Sequence, residues 1–131
     1  MKFFLKNSIL ILRILVAVIL IQTLRYKFTA HPDSVYIFSK IGMEPYGRIG
    51  IGVFELIAAI LLLIPKTIWQ GALLTLLMMS GAIFFHATSL GIEINNDKGT
   101  LFFMAVGTFL LSCLILFSER KKIPFIGKKF Q

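Results

Sequence analysis

A chain of 131 residues that is 57% hydrophobic and only 15% charged, with a mean hydropathy of +0.87, lies outside the range of soluble domains. Its net charge of +8 does not point to nucleic acid, because much of the excess is the tail Arg120-Lys121-Lys122 and Lys128-Lys129 beside apolar runs. An anionic lipid leaflet attracts such residues at roughly 1 kcal/mol each.

Four apolar segments approach the roughly 20 residues that cross a hydrocarbon core: Ser8 to Leu24, Ile49 to Ile64, Ile68 to Ala87, and Leu101 to Phe117. Lipid offers the backbone no hydrogen-bond partners, so each span is helical, and short connections make neighbours antiparallel. The expectation is an all-α polytopic membrane four-helix bundle, one domain over residues 1–131 with spans at about 8–24, 49–64, 68–87 and 101–117. The first run is interrupted by Arg13 and meets no small-x-small cleavage site before Arg25, so it reads as a retained helix and not a secretory signal.

In the first connection, Pro32 opens and Gly42 closes a stretch in which Val35, Phe38 and Ile41 recur at helical spacing. A short amphipathic helix on the outer interface is expected there, either covering the bundle mouth or anchoring it. Pro65-Lys66-Thr67 is a tight turn with Trp69 in the interfacial belt, and Thr88 to Thr100 reads as an exposed turn carrying Glu93, Asn95, Asn96, Asp97, Lys98 and Gly99. Cys113 sits alone inside the fourth span, which excludes a disulfide framework or a Cys-x-x-Cys pair.

Basic residues set the orientation. Eight lie on the side of both termini (Lys2, Lys6, Lys66, Arg120, Lys121, Lys122, Lys128, Lys129) and four on the other (Arg25, Lys27, Lys40, Lys98). Both termini are therefore expected in the cytoplasm.

Small and polar residues indicate which faces look inward. Gly47, Gly50 and Gly52 crowd the start of the second span; Thr75, Met79, Ala82 and His86 form a stripe on the third, and Ala105, Thr108 and Ser112 one on the fourth. Glu55 is the leading candidate for function: a carboxylate at mid-bilayer costs about 2.5–3.5 kcal/mol, so it must face a partner, a cavity or a ligand. Arg48 precedes it by seven residues on the same helix face, about 10 Å nearer the outer mouth, where His86, Tyr26 and Lys27 also arrive. Arg13 is a candidate ion-pair partner for Glu55, although long helical side chains lean toward their own N-termini and these two diverge. The pair becomes reachable if the first helix begins as early as Phe3; otherwise Arg13 snorkels or meets the end of the fourth helix near Glu119.

The two histidines and one cysteine occupy separate elements, so no metal site is expected. There is no phosphate-binding glycine loop and no nucleophile elbow, and a self-sufficient enzyme is not expected. The stretch Glu44-Pro45-Tyr46-Gly47-Arg48-Ile49-Gly50-Ile51-Gly52-Val53-Phe54-Glu55-Leu56, the later Gly71-Ala72-Leu73-Leu74 and Gly81-Ala82-Ile83-Phe84-Phe85-His86, and Tyr26-Lys27-Phe28 resemble the DoxX-like membrane proteins. The resemblance covers roughly residues 8 to 118 and rests on the order Lys27, Arg48, Glu55, His86.

That resemblance implies a four-helix protein of the bacterial inner membrane. Some relatives are the membrane partner in thiosulfate:quinone oxidoreductase, and others are linked to redox-stress complexes. The expectation it brings is an accessory membrane subunit with no intrinsic cofactor, in which Glu55, Arg48 and His86 contact a quinone headgroup and a partner subunit carries the redox centre. A small transporter or lipid-binding protein, in which Glu55 accepts a proton, and a structural or assembly factor remain open alternatives, and a homo-oligomer is compatible with each.

Overall fold

A computed structural model describes residues 2–94 and 97–124, with side chains from residue 7 onward. Four long helices are joined by short connections: α1 (Lys2–Phe28), α3 (Tyr46–Leu63), α4 (Ile68–Phe85) and α5 (Thr100–Ser118), with the short α2 (Pro32–Lys40) between the first two. The four long helices are each long and apolar enough to cross a membrane. Helix α1 packs along α3, α3 along α4 and α4 along α5, while α1 and α5 close the ring over a shorter contact.

Several helices overrun the apolar runs that announce them. Helix α1 continues through Arg25 and Lys27, basic residues in its last turn that suit the negative pole of the helix dipole. Of the expectations above, Asn95 and Asn96 in the third connection, Lys128 and Lys129 in the basic tail, and the side chains of Lys2 and Lys6 lie outside the described residues.

Val16, Ala17, Leu20, Ala58, Ala59, Leu62, Ala72 and Ile115 form the core, all nearly or fully buried. The opposite faces, with Ile11, Val18, Val53, Ile60, Leu77, Phe103, Leu110 and Leu114, are exposed. An apolar exterior of this extent suits acyl chains and not water. Lipid is as apolar as leucine, so helix association relies on close packing at small residues. The α3–α4 contact shows this: a Cβ added at Gly71 would sit 2.8 Å from the Leu62 nitrogen and 3.1 Å from the Ala58 carbonyl oxygen, backbone atoms that cannot step aside.

The connections at the α2 end are built from specific hydrogen bonds. His31 caps α2 by accepting from the Asp33 amide at 3.1 Å, Pro32 opens the helix, and Ser34 and Phe38 turn inward. Helix α4 ends in a π turn, His86–Leu90, closed by Gly91 at φ +83°. The third connection is only partly the exposed turn expected of it. Glu93 and Lys98 are exposed, but Ile94 is fully buried. Asp97 ties the loop to α5: its carboxylate accepts from the amides of Gly99 (2.8 Å), Ile94 (3.0 Å) and Leu101 (3.2 Å). Burial opposes the charged form of Asp97, yet backbone hydrogen bonds from Ile94, Leu101, Gly99 and Thr100 outweigh it and hold the carboxyl below its ordinary range.

Two stability predictions follow from this packing. Gly71→Val forces α3 and α4 apart and lowers stability by about 1–3 kcal/mol in detergent unfolding, whereas Gly81→Ala, whose added Cβ meets nothing within 4 Å, leaves it unchanged or higher. Asp97→Ala costs about 0.5–2 kcal/mol near neutral pH. Because the folded pKa is depressed, that contribution is complete above the unfolded value of about 3.9 and fades as pH falls through the folded value. The gap in midpoint between wild type and Asp97→Ala should therefore shrink in acid; a constant gap would contradict the capping account.

Candidate functional site

The buried face of α3 runs through Arg48, Gly52, Glu55, Ala58, Ala59 and Leu62, which places a carboxylate midway along a membrane-length helix and turns it away from lipid. Glu55 is 3% exposed. Its Oε1 lies 2.9 Å from Lys27 Nζ, and the Thr23 hydroxyl donates to Oε2 at 2.5 Å. Thr23 and Lys27 are one turn apart on α1, so a single helix face supplies both partners.

Side-chain lean explains why Lys27 is the partner. Helices α1 and α3 are antiparallel, and each long side chain leans toward its own helix N-terminus. From near the C-terminal end of α1, Lys27 leans down into the bundle while Glu55 leans up to meet it.

Arg13 leans the other way, and the candidate Arg13–Glu55 pair does not form. Helix α1 does begin before Phe3, but Arg13 lies ten residues below Thr23, about 15 Å along the axis. Nor does Arg13 reach Glu119. Its Nε donates to the Leu62 carbonyl at 2.7 Å and its Nη2 to the Leu63 carbonyl at 3.2 Å, satisfying free carbonyls at the C-terminus of α3.

Arg48 is buried at the α2 end. Its Nε donates to both carboxylate oxygens of Glu44, at 2.9 and 3.0 Å, and its Nη1 donates to the Lys27 carbonyl. It therefore fastens the end of α1 to the start of α3 and braces Lys27 from behind. The expectation of a side chain lining the same pocket as Glu55 is not met, since Arg48 is absent from the cavity wall. Two cations and two carboxylates are thus matched within the site: Lys27 with Glu55 and Arg48 with Glu44.

A cavity of about 620 Å³ opens beside the Lys27–Glu55 pair. Its walls are mostly apolar, with Phe38, Met78, Met79, Phe85, Leu101 and Met104 among them, and α2 contributes Ile37 and Phe38, with Ile41 just past its end. Tyr26 lines it with its ring edge-to-face on His31 at 4.6 Å. His86 lines it too, 5% exposed, with Nδ1 3.0 Å from the Gly91 carbonyl and its ring edge-to-face on Phe102. The inward stripes of α4 and α5 are as their spacing suggests: Thr75, Ala105, Thr108 and Ser112 are buried, and Met79 and Ala82 face the cavity. Among the described residues, no three His, Cys, Asp or Glu side chains come together as a metal set.

Sequence reading passed over two partners of the site. Glu44 carried a usable signal, four residues before Arg48 and on the same face. Thr23 carried none, because a threonine in an apolar run is ordinary until the facing helix is known to hold an acid.

A double-mutant cycle tests the pair. Lys27→Met or Glu55→Leu alone leaves an uncompensated buried charge and lowers stability by about 3–5 kcal/mol, whereas the double variant recovers most of the loss. Additive losses in detergent unfolding would show that the two side chains do not depend on each other.

The family model of DoxX matches residues 8–88, which takes in Lys27, Arg48, Glu55 and His86 and runs from the first turns of α1 through α4 into the π turn. No curated protein and no solved structure matches the chain. The match spans more than half of the sequence, and it carries the buried pair, its arginine brace and the cavity histidine together: this membrane protein belongs to the DoxX family.

Proposed function

We propose that the chain is an accessory membrane subunit of a quinone-linked oxidoreductase, which holds the head of an amphipathic quinone in the cavity beside Glu55 and Lys27 while a partner subunit supplies the redox centre. One observation carries this reading: a mostly apolar cavity of about 620 Å³ with a buried ion pair in its wall, inside a helix bundle whose outside suits lipid. Such a site holds an apolar body by contact area and orients a polar head by a few hydrogen bonds. Glu55, Lys27, Tyr26 and His86 would touch the head, and Arg48 would act through Lys27.

In this reading the protein sits in a bacterial inner membrane with both termini cytoplasmic, so the α2 end and the mouth of the cavity face the outer leaflet. The excess of basic residues on the terminal side supports that orientation. A packing role for the pair, as in an assembly factor, is the competing account, and it makes no use of the cavity.

Purification in mild detergent followed by mass spectrometry of the bound lipid separates the two. The wild type and Val53→Leu, which alters a side chain exposed to lipid, should both retain a quinone. The Lys27→Met/Glu55→Leu double variant should fold but lose it. No quinone in any of the three would leave the packing account standing, and equal retention in all three would contradict the role given to the pair in holding the head.

A further inference from the structure

His86 has one ring nitrogen committed and one free. Nδ1 lies 3.0 Å from the Gly91 carbonyl oxygen, which can only accept, so Nδ1 carries the hydrogen. In the neutral imidazole the Nε2 lone pair is then left as an acceptor. Nε2 has no hydrogen-bond partner among the described residues, although His86 is only 5% exposed and forms part of the cavity wall.

The ring is also held in place. Phe102 packs edge-to-face against it with centroids 5.7 Å apart. The carbonyl that fixes the tautomer belongs to Gly91, at φ +83° and ψ 167°, a backbone conformation that L side chains rarely adopt. His86 itself opens a π turn, a distortion that recurs at functional sites.

The cations nearby are already matched. Glu55 neutralises Lys27, Glu44 neutralises Arg48, and Asp97 is occupied by backbone amides. An anionic head would find no unmatched cation among them, and burying an unmatched charge is expensive.

We propose that His86 is the cavity's fixed hydrogen-bond acceptor and that the site selects an amphiphile whose head is not anionic and presents an O–H group to Nε2. This rests on the cavity being a ligand site and deepens that reading: of the two redox forms of a quinone, the hydroxylated one is favoured.

A matched pair of probes isolates the single hydrogen: 4-dodecylphenol and its methyl ether, titrated into the purified full-length protein and counted by native mass spectrometry. The wild type should bind the phenol about five- to tenfold more tightly than the ether, the worth of roughly 1 kcal/mol for one hydrogen bond. His86→Phe should bind both at the level of the ether, His86→Gln should restore part of the preference through its amide oxygen, and Gly91→Ala should weaken it by displacing the orienting carbonyl. Equal binding of the two probes by the wild type would overturn the acceptor role while leaving the cavity a ligand site, and this measurement needs no variant to fold. A preference that survives in His86→Phe would likewise overturn it. Failure of the wild type to bind either probe saturably would overturn the ligand-site reading and this inference with it.

Discussion

The site at the α2 end is organised around one requirement: a carboxylate midway along a membrane-length helix must not meet acyl chains. Glu55 meets it through Lys27 at 2.9 Å and Thr23 at 2.5 Å, and both partners come from one face of α1. The pair fixes the rotation of both helices, because turning either one would expose a charge to lipid at a cost of several kcal/mol. Small residues on the inner face of α3, Gly52, Ala58 and Ala59, favour the same rotation by allowing close approach.

Other cations complete the arrangement by serving the backbone. Arg13 satisfies the carbonyls that end α3, and Arg48 links the last turn of α1 to the first turn of α3 while matched by Glu44. The α1–α3 pair is thus pinned near both ends and at its middle. On the facing side, α4 and α5 contribute mostly apolar wall, hydroxyls and one histidine. One side of the cavity thus carries the matched Lys27–Glu55 pair, and the other carries Met78, Met79 and Met104, unbranched side chains that adapt their shape to what they touch.

The fold was legible because each of its causes is local. Apolar runs of 16 to 20 residues, the Pro32–Gly42 stretch and the inward stripes on α4 and α5 are features that a single segment displays. The candidate residues were legible as a set, since intramembrane charges are few. Their pairing was harder to read. Choosing between Arg13 and Lys27 for Glu55 needs helix overlap and side-chain lean, and the lean rule that disfavours Arg13 favours Lys27 when applied to the other end of α1. Ile94 and the Asp97 turn were missed because a polar loop composition hides an apolar anchor and a capping carboxylate.

The most direct test of the central claim is a solid-state NMR distance in lipid bilayers between the Glu55 carboxyl carbon, labelled with carbon-13, and Lys27 Nζ, labelled with nitrogen-15. The account predicts a strong dipolar coupling, as required by an oxygen–nitrogen contact of 2.9 Å. A coupling too weak to detect, together with lipid-chain cross-peaks to the Glu55 carboxyl, would contradict it.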